Sequence, residues 1–306
     1  MVEKMRKTTL GRIIQENREK QQFSKKEVCR GLCSVMALSR YEMDERVPDK
    51  FLLDALLERL GLNPFRYEFV ASDQEFYYSV KREQIEKLMY EENREEAWNA
   101  LKEYESHIQA KDKLHWQYLL LKKGSLLEKE KKYNEAIAKF KKALEYTKSN
   151  EINIGKQKDI MLTNIEIELF YLLGKIQYLK GNKKEAVAYF RMLKEYMEQR
   201  KTSQDKWKEY YPYILYCLAQ YEFDFHNLGK SYEYVKQAEK VLLESYQFKG
   251  LYEILNLKKT LCFRLKTQEK INEQFIQMLK LITMNKNGEL TKEGLDLWES
   301  TANQQL

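Results

Sequence analysis

The sequence predicts an all-α protein in two parts, a compact helical domain over residues 1–70 and a long array of paired helices over residues 75–306. Three observations favour this fold. The 306 residues include only three prolines and eleven glycines, fewer turn-forming residues than a protein built of strands needs. Residues 24–48 contain short helical segments separated by a glycine turn. Beyond residue 117, small and aromatic residues recur at the spacing of helical hairpins.

Composition and charge indicate a folded globular protein. Charged residues make up 33% of the chain and hydrophobic residues 43%, and no run approaches the roughly 18–20 apolar residues of a membrane span. We therefore expect neither a membrane segment nor a signal peptide. The net charge is +7, and residues 1–31 contain nine Lys and Arg against four Glu, a local excess of +5. Such a basic end suits a phosphate backbone, although a solvated charged surface would show the same excess.

Cysteine, histidine and glycine residues do not occur at the spacings of known metal-binding or catalytic motifs in this sequence. Cys29 and Cys33 are four residues apart, but no second Cys or His pair follows at zinc-ligand spacing, and Cys217 and Cys262 lie in other helices. The three histidines fall in separate repeats, and phosphate-loop, His-Glu-x-x-His and Gly-x-Ser-x-Gly motifs are missing. We expect reduced core thiols, no metal, no cofactor and no enzymatic activity.

The N-terminal region contains the start and stop signals of four helices. Ser24 opens the second helix, and Glu27, three residues later, completes a capping box whose reciprocal hydrogen bonds satisfy free amides at the helix start. Gly31 permits the turn that follows. Ser34 is the expected N-cap of a third helix that ends near residue 43. Leucines at helical spacing between residues 52 and 60 predict a fourth, amphipathic helix.

This region resembles an Xre-type, lambda-repressor-like helix-turn-helix. The matching residues are Phe23, Ser24, Glu27, Val28, Gly31, Cys33, Ser34, Leu38, Ser39, Arg40 and Glu42. The most similar version is that of Rgg/PlcR-like regulators, in which Cys-Ser stands at a turn one residue shorter than in phage repressors. The resemblance implies that Arg18 of the first helix pairs with Glu42 at the end of the third. We assign this ion pair a structural role.

The resemblance also implies that the N-terminal half of the third helix enters the major groove of double-stranded operator DNA. The expected base-facing residues are Ser34, Val35, Met36, Ser39 and Arg40, and the expected phosphate-facing residues are Lys25, Lys26 and Arg46. Many relatives have Gln at the position of Lys25 and polar residues at those of Val35 and Met36. Apolar contacts to thymine methyl groups are an option here, but the pattern does not specify a base preference. The alternative is a helical bundle that does not bind DNA.

The array after residue 75 follows the tetratricopeptide pattern. That pattern has small residues at positions 8, 20 and 27 and an aromatic residue at position 24. Residues 117–144 match with Gly124, Ala136, Phe140 and Ala143, and residues 167–194 match with Gly174, Ala186 and Phe190. Weaker units are centred on residues 97, 231 and 271. Successive units are longer than the standard 34 residues, which predicts longer helices or linkers. Stacked hairpins of this kind form a right-handed superhelix with a concave groove.

First-helix positions 2, 5, 9 and 12 of each repeat line this groove. The residues expected to contact a ligand are Tyr118, Leu121, Ser125, Asn164, Glu168, Tyr171, Lys175, Tyr178, Tyr213, Tyr216, Gln220 and Asn256. Asn and Gln can bond the backbone of an extended peptide, Tyr can form apolar walls, and Lys175 can bind a carboxylate. The alternative is that individual tyrosines pack between helices. At the end of the chain, Asn287-Gly288 predicts a turn before a short helix containing Trp298, which would cap the array or contribute to a dimer contact.

An Xre-type domain followed by a tetratricopeptide array resembles the RRNPP family of Gram-positive peptide-pheromone receptors. The resemblance implies a cytoplasmic homodimeric transcription regulator of the quorum-sensing type. A short signalling peptide would bind the groove and shift the spacing of the two DNA-binding domains. A second interpretation is a Rap-like adaptor that binds a protein of a response-regulator pathway without binding DNA. A third is a regulator that responds to a protein or a small molecule. The sequence does not specify activation or repression, the operator or the peptide.

Overall fold

The computed structural model describes residues 9–67, 72–147, 161–199, 204–245 and 250–267, together with residues 273, 276 and 277. All regular elements in these ranges are helical. The chain divides into two compact units, Met1–Gln204 and Asp205–Leu306. The first unit therefore includes both the predicted helix-turn-helix domain and the first repeats. The C-terminal turn and helix expected around residues 287–298, and the weak unit centred on residue 271, lie outside the described residues.

Four short helices and a 3-10 turn form the N-terminal part of the first unit. They are α1 (Leu10–Lys20), α2 (Lys25–Cys29), α3 (Val35–Glu42) and α4 (Lys50–Arg59), followed by the 3-10 turn Pro64–Arg66. Each helix begins with a side chain that accepts a backbone N–H bond, from Thr9, Ser24, Ser34 and Asp49 in turn. The capping box of Ser24 and Glu27 is present as predicted. Fully buried apolar residues, among them Ile14, Val28, Leu38, Leu53 and Leu56, form the core between these helices.

Among the described residues of the first unit, three helical hairpins follow. They are α5 (Asp73–Tyr90) with α6 (Arg94–His107), α7 (Lys113–Lys129) with α8 (Tyr133–Tyr146), and α9 (Asn164–Leu179) with α10 (Lys183–Gln199). Gly124 and Gly174 allow close packing in the second and third hairpins. A Cβ atom at Gly124 would lie 2.4 Å from the ring of Phe140, and one at Gly174 would lie 2.9 Å from Phe190. Both phenylalanines are fully buried, and each ring occupies the space beside the glycine opposite it.

The second unit contains α11 (Gln204–Asp224), α12 (Leu228–Glu244) and α13 (Leu251–Leu265). The Ser231 hydroxyl of α12 donates to the backbone carbonyl of Ala219 in α11 at 2.7 Å. The repeat pattern places small residues at these two positions, and here they bring the two helices into contact. Helix α13 packs on α12, where the buried Lys258 ammonium lies 2.7 Å from the carboxylate of Glu239.

Candidate DNA-binding and ligand-binding faces

A buried ion pair fixes α1 against α3. The Arg18 Nε atom lies 2.6 Å from Glu42 Oε1, and Nη2 donates to Oε2 at 3.0 Å, so the contact is bidentate. The side chain of Glu42 is only 1% exposed. The hydrogen bond to Glu42 raises the pKa of Arg18. Arg18 also donates to the backbone carbonyl of Phe23, at the end of the first turn. The Arg18 side chain therefore connects α1 to α3 and to the backbone that precedes α2.

The turn between α2 and α3 presents the start of α3 to solvent. Gly31 adopts a left-handed φ of +73°, a conformation that a glycine adopts at little steric cost. Ser34 then caps α3 by accepting the N–H of Ala37 at 3.0 Å. The next two side chains are apolar and exposed, 45% for Val35 and 67% for Met36. A solvent-exposed pair of apolar side chains at a helix start forms a surface that a partner can cover.

Basic side chains lie on α2, on α3 and in the loop after α3, and they differ in whether they contact other side chains. Lys26, Arg40 and Arg46 are exposed. The ammonium of Lys25, by contrast, donates to the Ser39 hydroxyl at 2.9 Å and lies 3.2 Å from Glu42 Oε2. Lys25 therefore already helps to neutralise the buried carboxylate. The base-facing and phosphate-facing residues expected from the sequence lie together on α2, α3 and the loop after α3. Within this set, Lys25 and Ser39 are hydrogen-bonded to each other, and Ser34 is the N-cap of α3.

The helix-turn-helix packs tightly on the repeats. A Cβ atom at Gly31 would lie 2.0 Å from the backbone carbonyl oxygen of Thr147, directly after α8. Arg59, at the end of α4, donates to the carbonyls of Val28 and Arg30 at 3.0 and 2.5 Å. Its other terminal nitrogen lies 3.5 Å from Glu166 in α9, and the two side chains are 2% and 0% exposed. Arg59 thus links the turn before α3 to the first turn of α9.

Asn164 has a partner other than the one expected. We predicted that it contacts a ligand in the groove. In the structure its backbone N–H and its side-chain amide both donate to the carboxylate of Glu58 in α4, at 2.9 and 2.8 Å. Glu166, two residues later, also accepts the backbone N–H of Thr163 at 2.7 Å within a capping box. The first turn of α9 therefore contacts α4 of the helix-turn-helix through hydrogen bonds and an ion pair.

The predicted face on α9, including Asn164, is one continuous stripe of half-buried residues. Asn164, Glu168, Tyr171, Lys175 and Tyr178 are spaced four, three, four and three residues apart, and all are half-buried. This spacing puts them on one side of the helix. Their neighbours Leu169, Leu172 and Leu173 are buried. The stripe has the exposure that a binding surface needs.

Two predicted groove residues on α7 need correction. Tyr118 and Leu121 are 5% and 1% exposed, so the expected open surface does not exist at these positions. The Tyr118 hydroxyl donates to the Glu86 carboxylate of α5 at 3.1 Å, and its ring stands edge-on to Phe51 of α4. Helices α4 and α5 therefore cover the first half of α7. Ser125, further along, is half-buried, and its hydroxyl donates to the backbone carbonyl of Leu121.

Ion pairs join the stripe of α9 to α7. Lys175 lies 3.0 Å from Glu128, and its side chain is 39% exposed. Lys122, 9% exposed, lies 2.9 Å from Glu86 and 3.4 Å from Glu168. Burial alone would lower the pKa of Lys122, but the nearby carboxylates of Glu168 and Glu86 raise it, so the side chain remains charged. The charged groups of this face are therefore already paired between helices.

The second unit presents its predicted residues in the same manner. Tyr213, Tyr216 and Gln220 are half-buried on one side of α11, and the Gln220 side-chain amide donates to the Tyr216 hydroxyl at 2.9 Å. Burial raises the pKa of Tyr213 to about 12, with a contribution from Glu253, so its hydroxyl stays protonated. Asn256 is exposed on α13. These side chains can donate hydrogen bonds to an extended backbone.

Sequence reasoning missed Glu58, Arg59 and Glu166. Two local signals point to Glu166, because Thr163 three residues earlier forms a capping box with it and the residue lies in an apolar stretch. Arg59 similarly follows a run of buried leucines in α4. A charge inside an apolar pattern indicates a buried pair but does not identify the partner. The partners here are 107 residues apart along the chain.

No group of three or more His, Cys, Asp or Glu side chains in the described ranges is arranged to hold a metal ion. Within the same ranges, no helix has the length and apolar character needed to cross a membrane.

Comparison with known proteins shows the fold. No protein-family model and no curated protein sequence matches the chain. Among solved structures, Bacillus thuringiensis PlcR in complex with a peptide and DNA matches over 97% of both chains, with a TM-score of 0.52 and 15% identity. ComR from S. thermophilus, in complex with DNA and its signalling peptide, matches over 83% of this chain and 99% of its own, with a TM-score of 0.38 and 13% identity. A point mutant of PrgX matches over 90% of this chain and 100% of its own, with the same score and identity. The PlcR match, together with the helices above, supports an all-α fold of a helix-turn-helix and a tetratricopeptide-like array.

Proposed function

We propose that this protein is a sequence-specific, DNA-binding transcription regulator whose repeats bind a short signalling peptide. The observation that best supports DNA binding is the uncovered start of α3. Val35 and Met36 are exposed there, and exposed Arg40, Lys26 and Arg46 lie on α3, α2 and the loop after α3, while a buried ion pair joins α3 to α1. A helix of this kind, with cations at its flanks, suits the major groove and the adjoining phosphates. The PlcR fold supports the same function.

The stripe on α9 supports peptide binding. It contains two tyrosines, an amide, a carboxylate and an ammonium group on one half-exposed side of a helix. Because its first turn also holds Glu58 and Arg59 of α4, a ligand that moves α9 would move the helix-turn-helix with it. A tenfold change in operator affinity requires about 1.4 kcal/mol of preference for one arrangement. We further propose that the protein acts as a cytoplasmic homodimer, in which this movement changes the spacing of two recognition helices, and we propose no enzymatic activity.

DNA binding is tested by fluorescence anisotropy on duplex DNA from upstream of the protein's own gene, across a salt series. We expect tight, salt-sensitive binding by the wild type, and a loss of about tenfold or more in an Arg40→Ala/Lys26→Ala variant. Lys102→Ala/Lys141→Ala removes two exposed lysines of α6 and α8 and serves as the charge-matched control. Weak binding that is equal in all three proteins and on random DNA would contradict the proposal. That result would favour the Rap-like, protein-binding interpretation.

Peptide binding is tested with synthetic peptides encoded by small reading frames beside the gene. Isothermal titration calorimetry should show binding of one of them to the wild type. Tyr171→Ala should weaken that binding, whereas Tyr146→Ala, at the end of α8, should not. The same peptide should also change the anisotropy midpoint on DNA. If the protein binds DNA and no such peptide binds, the ligand is a protein or a small molecule instead.

A further inference from the structure

The start of α3 has an unusual chemical character for a surface that reads bases. Its two most prominent side chains, Val35 and Met36, can neither donate nor accept a conventional hydrogen bond. They occupy the first two positions of the helix, directly after the N-cap Ser34. In a helix-turn-helix, the N-terminal residues of this helix contact base edges. In the proposed complex, base edges opposite Val35 and Met36 would therefore meet methyl and thioether groups.

The two serines of the face are already engaged as acceptors. The Ser34 hydroxyl accepts the backbone N–H of Ala37 at 3.0 Å, and the Ser39 hydroxyl accepts the Lys25 ammonium at 2.9 Å. Each hydroxyl retains a proton that it can donate, but neither side chain is free to turn without losing its present bond. Arg40, one helical turn beyond Met36, is exposed. Arg40 is thus the exposed side chain of α3 best placed to donate hydrogen bonds to bases, whereas the first two residues of the helix are apolar.

We infer that Val35 and Met36 read the C5-methyl groups of thymines in the operator half-site. Thymine is the only base of ordinary DNA that presents a methyl group in the major groove. An exposed Met and Val gain from covering such a group, because apolar surface leaves water on both sides. At a cytosine or guanine the same side chains would cover hydrogen-bonding groups without replacing their bonds to water, which is unfavourable. This inference rests on the proposed DNA-binding function and adds a base preference to it.

The experiment removes the methyl groups alone. Duplexes that bind the full-length protein are first enriched from a random-sequence pool, and the enriched site is then remade with deoxyuridine for thymine, one position at a time. Deoxyuridine retains the hydrogen-bonding groups of thymine and lacks only the methyl. We expect a loss of about three- to fivefold in affinity at each thymine that contacts Val35 or Met36, the effect of exposing roughly one methyl group.

Matched variants link the effect to the two side chains. Met36→Ala and Val35→Ala should each reduce the ratio of thymine to uracil affinity toward one at the position that the residue contacts. Met43→Ala removes an equally long, 58% exposed side chain at the other end of α3 and should leave every ratio unchanged. Arg40→Ala should weaken the thymine and uracil duplexes by the same factor. Circular dichroism melts should show that all four variants are folded, since all four side chains are exposed.

The outcomes separate the inference from the function on which it rests. Two results would overturn the inference and leave sequence-specific DNA binding in place. One is an enriched site in which replacing any thymine by uracil leaves the affinity unchanged. The other is a thymine-to-uracil affinity ratio that Met36→Ala and Val35→Ala do not change. If no site is enriched and binding is equal on all duplexes, both the inference and the proposed function fail. Exposed Val35 and Met36 would then be a surface for a protein partner.

Discussion

The face of the helix-turn-helix and the face of α9 differ in what their functional groups already contact. On α3, Val35, Met36 and Arg40 are uncovered, and the charges that fix the helix lie beneath it, in the Arg18–Glu42 pair. On α9, the polar groups of the exposed stripe are themselves bonded to other helices. Lys175 pairs with Glu128, Glu168 with Lys122, and Asn164 with Glu58.

Under the proposed function, this difference implies that the two faces would bind their partners in different ways. A preformed surface such as α3 binds a rigid partner without first breaking internal bonds, so its affinity depends on complementarity. A ligand on α9 exchanges bonds between helices for bonds to itself. Such an exchange lowers affinity, but it changes the contacts between α7, α9 and α4 and so couples binding to the position of the helix-turn-helix. Substitutions of the residues in these contacts measure how much each contact stabilises the protein.

The largest effect is expected from Glu166→Gln. Gln can still accept the Thr163 N–H bond, but the variant leaves the buried guanidinium of Arg59 without its countercharge. Breaking one side of a buried pair costs about 3–5 kcal/mol of unfolding free energy, measured by urea denaturation. Glu91→Gln alters an exposed pair with Lys87, whose atoms are 3.9 Å apart, and should cost under about 1 kcal/mol. Equal losses in the two variants would show that Arg59 reaches water.

Gly31→Ala tests the contact between the turn and α8. Ala is strained at a φ of +73°, and its Cβ would also collide with the Thr147 carbonyl. Gly181→Ala has a similar φ of +83° with nothing within 4 Å, so it shows the strain alone, about 1–2 kcal/mol. Gly31→Ala should destabilise by about 1–3 kcal/mol more, because backbone atoms must move. The same denaturation curves measure both variants. A difference near zero would mean that the helix-turn-helix does not rest on α8.

His115 should make stability depend on pH. Its ring packs against Phe51 of α4 at 5.0 Å, and Nδ1 lies 2.6 Å from the Tyr104 hydroxyl. Burial, aided by the charge of Arg82, lowers the pKa of His115 to about 3. Between about pH 6.5 and 3 the unfolded state therefore binds the additional proton, and stability falls as the pH is lowered, by up to about 1.4 kcal/mol per pH unit.

The control for this pH effect is a second histidine of the first unit. The unfolding free energy of His115→Gln is measured between pH 4 and pH 7. Its dependence on pH should be weaker than that of the wild type, because the contribution of His115 is missing. His107→Gln makes the same substitution at an exposed position and serves as the matched control. If His115→Gln has the wild-type slope, the ring is protonated in the folded protein and the junction with α4 is more open than described.

The smallest effect is expected on the stripe itself. Lys175→Ala removes a half-exposed ion pair with Glu128 and should cost under about 1 kcal/mol in thermal or urea unfolding. Lys122→Met fills the same space inside the protein but leaves Glu86 and Glu168 without their shared cation, so it should cost clearly more. If Lys175→Ala were the more destabilising of the two, Lys175 would be a structural residue and the stripe a packed surface.

Local rules account for the parts of the site that the sequence predicts well. The capping box of Ser24 and Glu27 and the N-cap Ser34 depend on residues within a few positions of one another. The half-buried faces of α9 and α11 likewise follow from helical period. The prediction fails at Tyr118 and Leu121, because repeat positions alone do not show that α4 and α5 cover the first half of α7.

The sequence by itself therefore determined the all-α fold, the helix starts and the division of each helix into apolar and polar sides, since these depend on short-range periodicity and capping. Tertiary structure alone decided which of those sides remain open and which charges meet. Arg59 with Glu166, Asn164 with Glu58 and Gly31 with Thr147 join residues roughly a hundred positions apart. Residues so far apart in the sequence meet only when the helices that contain them pack together, and the spacing of residues along the chain does not show which helices will pack.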